Sequence, residues 1–177
     1  ALDTVSKINS SGTVVATYAT GDNPHGIAID SAGNIYTANY SSNNITRIAA
    51  DGSITTIAPS PAQLNPYAIA IDSSNNVYVT NEGSRSVTKI TTDGSATKFN
   101  STNTGVTPRG IAIDSSGNVF TANYSLNTVS KINPSGAIVA TYPQATVGAY
   151  GQPEALAIDS SDNLYVTTFI TVSKINS

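Results

Sequence analysis

The stretch "NPHGIAIDSAGNIYTANY" at residues 23–40 decides the fold, because related copies of it recur along the chain. The copies read "NPYAIAIDSSNNVYVTNE" at 65–82, "TPRGIAIDSSGNVFTANY" at 107–124 and "QPEALAIDSSDNLYVTTF" at 152–169. Their prolines stand at 24, 66, 108 and 153, so the spacings are 42, 42 and 45 residues. A fixed period of this length indicates a repeat architecture in which each repeat is one small structural unit.

Each repeat reads as four short β-strands. The first copy predicts strands at "GIAID" (26–30), "IYTAN" (35–39), "ITRIA" (45–49) and "ITTIA" (54–58). These segments are rich in β-branched and aromatic residues, and Asp, Asn and Gly turns separate them. We call the four strands A, B, C and D in chain order. The helical spacing of apolar residues is absent.

Four short antiparallel strands in a repeat of about 40 residues predict an all-β fold, the β-propeller. One such sheet cannot bury both of its faces, but sheets stacked as blades around an axis can. We therefore expect residues 1–177 to form a single propeller domain. Its predicted blades are 24–58, 66–99, 108–142, and a fourth in which 155–175 combines with 4–18.

The repeat pattern, P-x-G-I-A-I-D-x-x-G-N-x-Y/F-x-x-N, resembles the NHL-type propeller repeat. It is also similar to the repeats of the virginiamycin B lyase (streptogramin lyase) family and of "YVTN" surface propellers; "YVTN" itself occurs at 78–81. The resemblance covers nearly the whole chain and implies a propeller. It implies no single function, because propellers of this kind include lyases, lactonases and binding platforms.

The two ends of the chain carry the same heptapeptide, "TVSKINS", at 4–10 and 171–177. The ends supply five strands where a fourth blade needs four, so one copy is surplus. Three explanations stay open: a piece of a longer array, a closed four-bladed monomer, or two copies joined head to tail into a larger ring. The chain itself is thus one expected partner.

Composition excludes several classes of function. Charged residues make up only 11% and the net charge is -3, which argues against nucleic acid as a partner. No apolar run approaches 18 residues, so we expect no membrane insertion. The chain has no Cys, which excludes disulfides and thiolate metal sites. The low charge, and a first residue that is Ala, favour a secreted bacterial protein or a fragment, located outside the cell, in the periplasm or on the cell surface.

The residue after each proline is different in every copy of the repeat. Since strand A runs one way and strand B returns, the start of A and the end of B lie on the same face of the propeller. This face is the usual ligand face of propellers. Its predicted ligand-binding residues come from the strand A entries and the strand B ends: His25, Tyr67, Arg109, Glu154, Tyr40, Glu82, Tyr124 and Phe169.

These residues support two functions. The first is a non-catalytic propeller that binds or scaffolds a protein, peptide or glycan, without a cofactor. The second is a metal-assisted lyase or hydrolase of the streptogramin-lyase type, in which His25 acts with Glu82 or Glu154 and a divalent metal. The chain has one histidine, which is few for such a site, so the sequence favours the non-enzymatic function.

The simpler structural roles of the same residues are also open. Arg109 and Glu154 fit a salt bridge between blades, and the aromatic residues fit packing between blades. The aspartate that opens each "DSxxN" turn is the same in every repeat, as a turn cap requires and a catalytic site does not.

Overall fold

The computed structural model describes residues 3–58, 64–101, 107–143 and 151–175. These ranges form seventeen β-strands and one short 3-10 turn at Tyr124–Leu126. Among the described residues, no helix has the length and apolar character needed to cross a bilayer.

The strands follow one another in the predicted order. An N-terminal pair, β1 (Thr4–Ile8) and β2 (Val14–Ala19), precedes the complete blades. Blade 1 consists of β3 (Pro24–Ile29), β4 (Ile35–Asn39), β5 (Asn44–Ile48) and β6 (Ile54–Ile57). Blade 2 consists of β7 (Pro66–Ile71), β8 (Val77–Asn81), β9 (Ser86–Ile90) and β10 (Ala96–Ser101). Blade 3 consists of β11 (Pro108–Ile113), β12 (Val119–Asn123), β13 (Thr128–Ile132) and β14 (Ile138–Tyr142). Blade 4 consists of β15 (Ala155–Ile158), β16 (Leu164–Thr167) and β17 (Val172–Ile175).

Every pairing inside a blade is antiparallel between consecutive strands, so each blade is a meander. The predicted strands of the first repeat match the observed ones to within two residues at each end. The all-β propeller of antiparallel blades is confirmed.

The core lies between blades, because each blade buries its face against the next. Between blades 1 and 2, Tyr36 and Ile45 form one cluster with Ile69 and Val77. The same positions recur in two further clusters, one between blades 2 and 3 and one between blades 3 and 4. Strand A of each following blade thus packs its bulky residues on the preceding blade.

Two kinds of junction alternate along the propeller. Gly26 and Gly110 lie in the strand A of blades 1 and 3, and a Cβ on either would come within 2.7–3.0 Å of the next blade's backbone. On the face of the propeller that carries the "DSxxN" turns, the Ser31 amide donates to Asn75 of blade 2 (3.1 Å), and the Ser115 amide donates to Asp162 of blade 4 (2.9 Å). Blades 1 and 3 therefore meet their successors in the same way.

The junction from blade 2 to blade 3 differs. Blade 2 carries Ala68 where blades 1 and 3 have glycine, and Thr80 where they have Ala38 and Ala122. The Thr80 hydroxyl accepts from the Ala68 amide (3.0 Å) and donates to the Arg109 carbonyl of blade 3 (2.7 Å). Blade 4 repeats the blade 2 pattern with Ala155 and Thr167, so odd and even blades form two classes.

The terminal strands form separate sheets. In the described residues β1 pairs with β2, and β15–β17 form a three-stranded sheet. No pairing among the described strands joins β1 or β2 to β15–β17, so the expected fourth blade, with 4–18 beside 155–175, stays a prediction. β1 contains VSKI, the sequence of β17, and β17 already occupies the strand C position beside β16.

The "DSxxN" turns, on the face opposite the strand A entries (the lower face), are each capped by their own aspartate. In the first turn, Asp30 accepts from the amides of Ala32 and Asn34 at 3.0 and 2.8 Å, and from the Tyr36 hydroxyl at 3.2 Å. The corresponding aspartates at 72, 114 and 159 make the same amide contacts. These carboxylates serve as turn caps, as the sequence predicted.

Candidate functional site

The blade geometry collects the eight predicted residues on one face. Pro24 pairs with Asn39, which places the start of strand A beside the end of strand B, and the other complete blades repeat this register. We call the face that they share the upper face. It carries His25, Tyr40, Tyr67, Glu82, Arg109, Tyr124, Glu154 and Phe169.

Arg109 is the centre of the upper face. Its guanidinium donates to Glu82 of blade 2 at 3.0 Å and to Glu154 of blade 4 at 2.7 Å. The same group stacks on the ring of Tyr124, 3.5 Å from the centroid, and lies 5.3 Å from the centroid of Tyr67. Two carboxylates and two rings therefore fix this side chain, which is 21% exposed.

His25 belongs to an aromatic group at one end of this network. Its ring centroid lies 4.7 Å from that of Tyr67 and 5.2 Å from that of Tyr40, and the two tyrosine rings meet edge to face at 6.3 Å. At the other end, Tyr124 meets Phe169 edge to face at 6.4 Å. All eight residues are thus linked in one continuous chain of contacts across the blades.

The electrostatics follow from this packing. Hydrogen bonding to Glu82 raises the pKa of Tyr40 above its usual value, and partial burial does the same for the pKa of Tyr67. Partial burial lowers the pKa of Arg109, but the contacts with Glu82 and Glu154 outweigh it, so the net shift is upward. The single guanidinium of Arg109 thus lies between two carboxyl groups, so acidic groups outnumber it at the centre of the site.

Repeat irregularities below the upper face also shape the site. Thr80, which the sequence analysis did not single out, holds the Arg109 backbone through its hydroxyl. Its departure from the alanines at 38 and 122 was the available signal. Next to it, Asn81 is fully buried and donates to Thr88 at 2.8 Å, while its side-chain oxygen has no hydrogen-bond partner.

The carboxylates expected to assist His25 are engaged by Arg109. The His25 ring lies against Tyr40 and Tyr67, while Glu82 and Glu154 both bind the Arg109 guanidinium. Within the described residues, no group of three or more His, Cys, Asp or Glu side chains is placed to hold a metal. The donor set that the described residues place on the upper face therefore does not fit a divalent metal.

Comparisons with known proteins agree with this architecture. The model of the virginiamycin B lyase family matches residues 2–176. The chain belongs to this family. A search of the curated proteins found no match.

Solved structures of family members share the fold. A virginiamycin B lyase from Staphylococcus aureus superposes with a TM-score of 0.88 at 21% identity, over 99% of this chain and 60% of the other. A streptogramin B lyase gives a TM-score of 0.85 at 18% identity, over 99% of this chain and 62% of the other. A catalytically inactive histidine-to-alanine variant of the Staphylococcus aureus enzyme, solved with quinupristin, gives 0.78 at 19% identity, over 100% and 60% of the two chains.

The chain thus spans about three fifths of the length of these lyases. At these identities the superpositions show a common fold. Family membership and the propeller fold are established for this chain.

Proposed function

We propose that this protein is a non-catalytic binding propeller whose ligand, a peptide or glycan, lies on the upper face. The observation that carries the proposal is the fixed position of Arg109, held by Glu82 and Glu154 and stacked on Tyr124. A side chain held in this way contributes a preorganised surface at a small entropic cost.

The chemistry of the face defines the class of ligand. Half-exposed rings offer stacking surfaces to sugar rings or apolar side chains, and Phe169 is the most accessible of them, with 68% of its surface exposed. The two carboxylates accept hydrogen bonds from hydroxyl or cationic groups, while Arg109 restrains both. The excess of acidic groups favours hydroxyl-rich or cationic ligands over anionic ones.

Binding is tested on glycan and peptide arrays, followed by titration of the best ligand. We expect Tyr124→Ala and Tyr40→Ala to weaken binding by at least tenfold. Ser73→Ala, an exposed change on the lower face, serves as the matched control and leaves the affinity unchanged. Equal affinity in both tyrosine variants and the wild type would refute a ligand on the upper face.

A second candidate, lyase activity, is favoured by one observation. His25 is exposed on the upper face between two tyrosine rings, and a histidine is required in the Staphylococcus aureus lyase whose histidine-to-alanine variant is inactive. An imidazole in this position would serve as the general base. No metal step is included, because the donor set does not fit one.

The two candidates are distinguished by incubation with quinupristin and chromatography with mass-spectrometric detection. Turnover by the wild type that is lost in His25→Ala establishes the lyase and overturns the non-catalytic proposal. Intact quinupristin supports the binding function. A titration with divalent metals, on both proteins, checks the expected lack of a His25-dependent metal site. A location outside the cell, in the periplasm or on the cell surface stays a prediction from composition.

A further inference from the structure

The first blade has an unfilled face. In blades 2 and 3, the first isoleucine of strand A is nearly buried on the preceding blade, with Ile69 9% and Ile111 7% exposed. The equivalent Ile27 in blade 1 is 56% exposed, and Ile29 is 63% exposed. Exposed apolar pairs at a position that is elsewhere buried indicate a missing neighbour.

The missing neighbour corresponds to part of a preceding blade. A cleft of about 380 Å³ separates β1 from blade 1, and its lining includes Val5, Ile27 and Ile35. Val5 corresponds in the repeat to Ile45, which packs between blades 1 and 2 with the counterparts of Ile27 and Ile35. The pair β1–β2 therefore lies where strands C and D of a preceding blade belong, and strands A and B of that blade are the missing part.

Blade 4 carries the complementary deficit. Ala157 of β15 is exposed, whereas its counterparts Ala28 and Ala70 pack against the core clusters between blades 1 and 2 and between blades 2 and 3. In the described residues, blade 4 consists of strands A, B and C. It therefore offers strands A and B with an uncovered face, which is what the cleft lacks.

We propose that β15–β16 of one copy fill the cleft of a second copy, so that two copies join head to tail into a closed ring. The strand β1 contains VSKI, the sequence of β17, so it can replace β17 beside β16 in the register that β17 uses. The completed blade consists of β15 and β16 from one copy and of β1 and β2 from the other. Extension of a sheet by a strand from another chain is a common mode of association.

The alternation of blade classes supports this partner. Blade 4 is of the even class, and the blade that follows it in the ring is blade 1 of the second copy, which is of the odd class. In the ring, the Thr167 hydroxyl can therefore donate to the backbone carbonyl of the partner's His25. This repeats the hydrogen bond that Thr80 donates to the Arg109 carbonyl. The junction repeats one that the chain already makes between blades 2 and 3.

The junction also completes the upper face. Within one chain, each strand A entry residue contacts the next, from His25 through Tyr67 and Arg109 to Glu154. The ring continues this series, so Glu154 of one copy faces His25 of the other. The two upper faces become one continuous surface.

Light scattering on the purified 177-residue chain tests the proposal. We expect twice the chain mass of 18.1 kDa for the wild type. Ile27→Asp blocks the cleft and Ala157→Asp blocks the inserted hairpin, so each variant alone should run at 18.1 kDa. Val139→Asp, at an outer-strand position that is 55% exposed, is the matched control and should stay at twice the mass.

Mixing the two blocked variants gives the sharpest result. Each retains one intact half of the junction, so an equimolar mixture should recover twice the chain mass through a single junction. Circular dichroism checks that every variant is folded. A monomeric wild type, open-ended growth beyond two copies, or a mixture that stays monomeric would each overturn the proposed ring.

Discussion

Replacing Val79 with threonine should stabilise the protein, although a hydroxyl placed in a core usually destabilises. Val79 and Asn81 are both fully buried, and the side-chain oxygen of Asn81 has no hydrogen-bond partner. In blade 3 the equivalent Thr121 donates to Asn123 at 3.0 Å. Val79→Thr therefore supplies the missing donor at a position where the repeat already accommodates it.

The magnitude follows from two opposing effects. An unsatisfied buried acceptor costs about 1–3 kcal/mol, which the new hydrogen bond removes. Loss of a buried methyl group costs about 1 kcal/mol. The net gain in the free energy of unfolding is about 1 kcal/mol, equivalent to about 2–4 °C in Tm for a chain of this size.

Urea unfolding at one fixed protein concentration measures the effect. The midpoint should rise while the m-value stays constant. Val77→Thr is the matched control, since it lies two residues earlier on the same strand face and should lose about 1–3 kcal/mol. If Val79→Thr destabilises as much as Val77→Thr, the reasoning about Asn81 is wrong.

Three further predictions concern junctions, acid stability and the site. Gly110→Ala should destabilise the protein by about 1–3 kcal/mol in thermal unfolding, because the new Cβ would lie 2.7 Å from the Glu154 carbonyl oxygen. The control Ala68→Gly, at the equivalent position of blade 2, should cost at most about 1 kcal/mol. Equal effects of the two variants would contradict the close approach at Gly110. Hydrogen bonds from Asn163 lower the pKa of Asp159 to about 2, whereas its pKa in the unfolded chain is near 3.8. The ionised carboxylate therefore stabilises the fold at pH values above 3.8, and this stability should be lost as the pH falls from about 4 to 2. Urea midpoints that do not fall across this pH range would refute the turn-cap contribution. Arg109→Lys should lower the free energy of unfolding by about 1 kcal/mol, since lysine keeps the charge but loses the fork that reaches both carboxylates; an unchanged urea midpoint would show that the second contact contributes nothing.

The sequence was informative wherever the repeat was regular. The recurring "GIAIDSxGN" frame predicted strands, turns and blades, because each blade needs the same strand, cap and inner packing. It also placed His25 and its counterparts on one face, since antiparallel strands bring the entry of A beside the end of B. Which side chains contact one another on that face was harder to predict from the sequence. Glu82 or Glu154 was expected to assist His25, and in the structure both bind Arg109 of the blade 3 entry.

Departures from the repeat were harder to interpret from the sequence. Thr80 and Val79 look like conservative changes in the sequence. The role of Thr80 depends on the Arg109 carbonyl of the next blade, and that of Val79 on Asn81 of the same strand, whose amide oxygen it leaves unpaired. The surplus terminal strand was visible in the sequence, but the shared sequence VSKI gives no sign of which copy pairs with β16.

The two classes of junction place a parity rule on any ring built from these blades. Blades of the odd class, with a glycine early in strand A, approach the next blade backbone to backbone. Blades of the even class contact the next blade through a threonine hydroxyl. A ring with an even number of blades closes with every junction of a kind already present. An odd number forces two blades of one class together, with a surplus Cβ or a missing hydroxyl at that place. Loss or gain of a single blade should therefore be harder to tolerate than loss or gain of two.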